Sequence, residues 1–190
     1  MKLLLPKTHI DVVALGLPVF YLAGPIRGAD DWQADVAGIL DFIHEGQCII
    51  VNPSRYEETH PLYAGRLRGD ENHFERQTDW EDFYMRLAAT SSRGCLIFWL
   101  PAESKQNPRP KAAGAYARDT LGEIGEWRGR LMGNEDELPR HRIVFGAEPD
   151  FPGLSQIKRN FEIKLKERPV TFHDSVASTL VAAIQSDSSH

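Results

Sequence analysis

Two glutamates, a glycine-proline turn and a polar helical stripe are the features of this chain whose residue types and spacing could do chemistry. Glu123 stands in the run Thr120-Leu121-Gly122-Glu123-Ile124-Gly125. On one reading Thr120 and Glu123 form a capping box, and the glutamate only accepts the Thr120 backbone N–H. On the other, Glu123 is an anionic nucleophile, kept ionised in the first helical turn by the positive end of the helix dipole. Gly122 and Gly125 flank it at a cost in helix stability, which suits the close approach of another molecule. Gln77, Glu81 and Tyr84 recur at i, i+4 and i+7 and so share one helical stripe, with Trp80 beside Glu81. Such a stripe is either a solvated face or a set of groups able to trade a proton with a ligand. Gly24-Pro25 closes the apolar run Val19–Ala23; it is an ordinary turn or a place where a ligand lies against the main chain.

These residues need a frame, and alternation along the chain supplies one. Val19–Ala23, Cys48–Val51, Cys95–Leu100, Ile143–Phe145 and Val170–Phe172 are short apolar runs, each expected to be a buried strand. Between them fall apolar stripes at helical spacing. Asp30, with Gln33, is expected to cap a helix carrying Trp32, Val36, Ile39, Leu40 and Ile43. A second helix is expected from about Glu71 to Thr90, a third from Thr120 through Ile124, Trp127 and Leu131. Ile157, Phe161 and Leu165 mark a fourth; Val176, Leu180 and Ile184 a last one. The stretch from Ser54 to about Asp70, and the one holding Pro108 and Pro110, read as long polar loops. Strands alternating with helices predict an α/β fold, a flavodoxin-like doubly wound parallel sheet of five strands in the order 2-1-3-4-5. One domain spans residues 1–186, with 187–190 as a frayed tail. In such sheets a ligand sits outside the carboxyl ends of the strands, which places Gly24–Arg27, Asn52-Pro53, Leu100-Pro101 and Glu123 around it.

Composition narrows the choices. A chain of 190 residues with 42% hydrophobic residues and a net charge of -5 is a globular domain, and its charge disfavours a polymeric nucleic acid partner. Leu3-Leu4-Leu5 is too short, and too soon interrupted by Pro6 and Lys7, to be a signal sequence, and no run suits a membrane span. Cys48 and Cys95 open apolar runs and read as buried thiols, which fits a cytoplasmic protein. His60, His73, His141 and His173 lack the pairing of metal ligands. The basic residues Lys158, Arg159, Lys164, Lys166 and Arg168 read as a solvated helix face. No phosphate-binding P-loop, dinucleotide fingerprint or serine-nucleophile elbow occurs.

Taken in order, Tyr21-Leu22-Ala23-Gly24-Pro25-Ile26, Trp32, Asn52-Pro53, Gln77-x-x-Trp80-Glu81, Leu96–Pro101 and Glu123-Ile124-Gly125 form a set. The set resembles the nucleoside 2-deoxyribosyltransferase-like family, from about Val19 to Trp127. The resemblance implies cleavage of the N-glycosidic bond of deoxynucleosides or their 5′-monophosphates by a glutamate nucleophile, with no metal or organic cofactor. It makes Glu123 that nucleophile, Gly24-Pro25 the sugar-side loop and Glu81 the carboxylate that handles the base. Tyr21, Ile26, Trp32, Asn52, Gln77 and Trp80 complete the expected substrate contacts, although each of the three aromatic residues reads first as core and only second as a ring that stacks on the base. Expected partners are a nucleoside or nucleotide and a free base, and relatives often assemble as homo-oligomers. Two departures stand out: Arg93-Gly94 replaces the aspartate commonly found before the third of these strands, and the Pro101–Glu123 segment is long. The first motivates an alternative, a nucleotide-binding sensor without turnover; a flavin or phosphate binder on the same fold is a third reading.

Overall fold

The computed structural model describes residues 2–133, 142–166 and 169–188. Its centre is an all-parallel sheet whose strands are β1 (Lys2–Leu4), β2 (Val19–Ala23), β3 (Ile49–Val51), β4 (Gly94–Leu100), β5 (Ile143–Ala147) and β6 (Phe172–His173). The helices are α1 (Val12–Leu15), α2 (Trp32–Ile43), α3 (Pro61–Ala64), α4 (Gln77–Thr90), α5 (Arg118–Met132), α6 (Leu154–Lys164) and α7 (Val176–Ser188).

Every residue of β2 and β4 is buried because both are apolar on both faces. Strand alternation sends Phe20, Leu22, Ile97 and Trp99 into one core with residues of α2 and α7. Tyr21, Ala23, Leu96 and Phe98 go into the other, against Trp80, Tyr84, Ile124, Trp127 and Phe161. Burying side chains of this size contributes about 1.5–3 kcal/mol each before entropy is counted. This two-sided core is what an α/β sheet wound in both directions requires.

The sheet differs from expectation in strand count and order: it has six strands in the order β1-β3-β2-β4-β5-β6. Lys2–Leu4 adds itself at the edge, pairing Leu3 with Ile50 and Leu4 with Val51. Pro6 and Lys7 cut this run short in sequence, but three residues suffice when a neighbouring strand offers a free ladder.

Helix starts also shift. Asp31, not Asp30, caps α2 by accepting the Ala34 N–H at 3.2 Å, while Gln33 is buried. α4 begins at Gln77 rather than near Glu71. The polar stretch after Ser54 holds α3 and returns to the sheet: Leu67 N–H reaches Leu3 O at 2.7 Å, and His9 and Asp70 exchange N–H···O bonds. The loop after β4 is likewise anchored, since the Tyr116 hydroxyl donates to the Pro101 carbonyl at 2.9 Å. Asp187, placed in a frayed tail by sequence, is the penultimate residue of α7 and bonds to Gly94. His141 and Arg168 lie outside the described residues. Among those described, no helix is long and apolar enough to cross a membrane.

Candidate active site

β2 and β4 are neighbours in the sheet, and the chain turns away from them in opposite directions, which opens a crevice beyond their carboxyl ends. α4 leads into β4 and α5 follows it, and both cover the same face. Arg130 on α5 bonds Asp82 on α4 at 3.3 Å, holding the helices side by side. Glu81 is next to Asp82, and Glu123 lies two turns before Arg130 on the same side of α5.

α5 starts at Arg118, after Ala117 in a left-handed conformation with φ 57° and no side-chain cap. Thr120 is therefore a buried residue within the first turn, and the capping box with Glu123 does not form. Glu123 sits in the second turn, beyond the reach of the dipole argument made from sequence. Its carboxyl is not held ionised: burial pushes its pKa up to about 8 from 4.5, and the charges of Glu81, Asp119 and Glu126 add to the rise. Glu81 is raised as well, first by burial, against the lowering effect of its Gln77 bond and of the Arg55 charge. Tyr21, buried on β2, is pushed well above its ordinary value by burial and then by Glu81 and Glu123. Three elements thus place a phenol within the field of two acids, one of which also acts on the other.

Gln77 and Glu81 do share a stripe, as their spacing predicts: Gln77 Nε2 donates to Glu81 Oε1 at 2.7 Å and to the Pro53 carbonyl at 3.1 Å. Gln77 Oε1 accepts from Arg55 Nε. Tyr84 leaves the stripe. Its hydroxyl accepts the Ile10 N–H at 3.2 Å and meets His9 Nδ1 at 3.0 Å, far along the core. Trp80 is fully buried, with its indole N–H on the Thr8 carbonyl at 2.8 Å. Trp32 is buried in the opposite core and donates to the Pro25 carbonyl at 2.9 Å. Both indoles are packed and hydrogen-bonded inside the protein, so neither offers a free ring face to a base.

Gly24 is glycine for packing: at φ 152°, a Cβ there would lie 2.1 Å from the Trp99 carbonyl and 2.8 Å from the Trp32 ring. Pro25 is buried and Ile26 exposed on the same turn. Asn52 is buried and structural, accepting the Ser54 N–H at 2.9 Å and donating to the Tyr56 hydroxyl at 3.2 Å. Tyr56 in turn donates to Asp31, the α2 cap, at 2.7 Å.

The Gly94 departure falls at the wrong end of β4 to touch this crevice. Gly94 starts the strand at φ 88°, where a Cβ would lie 2.1 Å from the Val19 carbonyl oxygen. Its N–H donates to Asp187 at 2.8 Å, so α7 supplies a carboxylate at that position. The sensor alternative drew its motive from Gly94 and loses it here.

A cleft of about 420 Å³ opens on the other side of Gln77, which forms part of its wall; neither Glu81 nor Glu123 lines it. Its cations, Lys7, Arg55 and Arg66, were absent from the sequence-based site. Asn52-Pro53-Ser54-Arg55 carried a signal, since Arg55 follows a strand end, but Lys7 and Arg66 reach the cleft only through β1 and α3. Among the described residues no group of His, Cys, Asp or Glu is placed to hold a metal ion. A scan against protein-family models finds no match, and a search of curated proteins finds none either.

Proposed function

We propose that this protein cleaves the N-glycosidic bond of a 2′-deoxynucleoside or its monophosphate and passes the deoxyribosyl group to another base or to water. One observation carries the reading: Glu81 and Glu123 stand on adjacent helices at the carboxyl edge, each raised first by burial, with the Glu81 charge adding to the rise of Glu123 and both acids acting on Tyr21. Of the forms such a pair can take, the one with the charge on Glu123 and the proton on Glu81 combines a nucleophile and an acid in one site. The ordered resemblance from Tyr21 to Gly125 supplies the substrate class.

In this reaction a Glu123 oxygen attacks C1′ on the face opposite the base. The C1′–N bond breaks through an oxocarbenium-like state, its electron pair goes to the base nitrogen, and Glu81 delivers a proton there. The acceptor, a base nitrogen or water, then bonds to C1′ and gives its proton to Glu81. The ester bond breaks, Glu123 is restored as a carboxylate, and configuration is retained. Tyr21, held protonated by burial and by the charges of Glu81 and Glu123, keeps a neutral phenol near both acids. Gln77 orients Glu81 through the 2.7 Å bond.

The test is incubation with a 2′-deoxynucleoside and a second free base, followed by chromatography. Exchanged nucleoside, or free base with deoxyribose, is expected. Neither product across the common deoxynucleosides, with folded protein, would overturn the proposal; nucleotide-dependent thermal stabilisation in that case would return the sensor reading.

A further inference from the structure

The 420 Å³ cleft gathers three cations, Lys7, Arg55 and Arg66, in a chain whose net charge is -5. Among the described residues neither Lys7 nor Arg55 has an acidic partner within ion-pair distance; Arg66 bonds Glu71 at 3.2 Å. The Arg66 guanidinium lies 4.4 Å over the Tyr63 ring, and both residues line the cleft. Lys7 is presented by a turn closed by the Thr8 N–H on the Leu5 carbonyl at 3.2 Å. In that turn Lys7 adopts φ 67°, a conformation glycine would hold with less strain. Ser54 is buried in the same wall, and its hydroxyl makes no well-formed hydrogen bond. Lys7 without an acidic partner, Arg55 with only its Nε engaged by Gln77, and Arg66 shared with Glu71 leave N–H donors to spare at the cleft, and a phosphoryl group is an acceptor of such donors. Gln77 lines the cleft and bonds Glu81, so a group held there lies one side chain away from that acid.

We infer that this cleft is the subsite for a phosphoryl group carried by the substrate, so that the protein works on a phosphorylated nucleoside in preference to a free one. The inference rests on the function proposed above for the acids, but binding tests it without turnover. Calorimetry on the inactive Glu123→Gln protein compares a 2′-deoxynucleoside, its 5′-monophosphate and inorganic phosphate. The monophosphate is expected to bind about 10-fold or more tightly than the nucleoside, with affinity falling as salt rises. Lys7→Gly relieves the backbone strain while deleting the cation, so it should raise thermal stability slightly and weaken monophosphate binding about 10-fold. Glu71→Gln frees Arg66 and should tighten binding. Lys158→Ala, a charge loss on the distant α6, should leave it unchanged.

Equal binding of nucleoside and monophosphate, or monophosphate binding indifferent to Lys7→Gly and Glu71→Gln, would overturn the inference while leaving the glycosidic activity standing. Inorganic phosphate binding as tightly as the monophosphate would overturn the substrate-borne source and make the cleft a site for the free ion. Monophosphate binding that depends on Lys7, in a protein that cleaves no nucleotide, would support the subsite and defeat the glycosidic proposal instead.

Discussion

The two ends of β4 treat buried charge in opposite ways. At its amino end, Asp187 is nearly buried and fully occupied: it accepts the Gly94 N–H at 2.8 Å and lies 3.5 Å from Arg93. The buried Arg142 guanidinium donates to the Gly94 carbonyl at 3.3 Å. Opposite charges and backbone groups meet there, while the buried Arg142 Nε has no hydrogen-bond partner among the described residues. Beyond its carboxyl end, Glu123 and Glu81 are withdrawn from water beside more acids, Asp119 and Glu126. Glu81 has the Gln77 bond and the Arg55 charge to offset its burial, whereas only acids act on Glu123. The contrast supports the proposal that one end of the sheet is scaffold and the other a site whose electrostatic cost is retained for chemistry.

Substitutions at the two ends should therefore separate activity from stability. Glu123→Gln should lower turnover by about a thousand-fold or more, as loss of a nucleophile does, while chemical denaturation shows a protein at least as stable as wild type. Activity surviving in Glu123→Gln would erase the distinction. Gly94→Ala is its mirror. The left-handed backbone and the overlap with Val19 should cost roughly 3 kcal/mol or more, measured in urea, with activity per folded molecule unchanged. Asp187→Ala, leaving the Gly94 N–H unsatisfied, should cost about 1–3 kcal/mol and likewise spare turnover.

The same contrast predicts opposing responses to pH. Glu123 is raised from 4.5 to about 8, so the native state holds its proton over a range in which the unfolded chain has released it. Its stabilising contribution is complete below about 4.5 and is lost as pH rises through about 8. Wild type should lose stability relative to Glu123→Gln across that window, and parallel curves would contradict the shift. Turnover needs the charge on Glu123 and the proton on Glu81, a distribution that peaks between the two ionisations. The kcat/KM profile is thus expected to be bell-shaped, and to lose this form in Glu81→Gln. The smallest effect concerns the indoles: Trp32→Phe removes one buried N–H···O bond and should cost about 1 kcal/mol with little change in KM. A large rise in KM would show that the ring meets substrate after all.

The sequence made the central strands and the two acids legible because those signals are local. Val19–Ala23 and the run ending at Leu100 are apolar on both faces, and only a central parallel strand buries both. Gln77 and Glu81 obeyed helical spacing. What stayed hidden depends on contacts between distant residues. β1 is a strand only because β3 offers it a ladder, and Pro6 disguised it as an interrupted run. The Thr120 capping box was a sound local pattern overruled by Ala117, whose left-handed backbone starts α5 two residues earlier than Thr120. Gly94 read as a missing acid because its carboxylate arrives from Asp187, 93 residues away. The aromatic residues were ambiguous for the same reason: no spacing rule tells a ring that stacks on a ligand from one that fills a core.

The central claim, that Glu123 forms a covalent bond to the sugar, has one direct measurement. Wild type is mixed with a 2′-deoxynucleotide, quenched in acid within the first turnovers, digested and analysed by mass spectrometry. A peptide spanning Glu123 that is heavier by one deoxyribosyl residue, and absent from Glu123→Gln, is the expected result. Full turnover with that peptide unmodified, or with the adduct on Glu81, would contradict it.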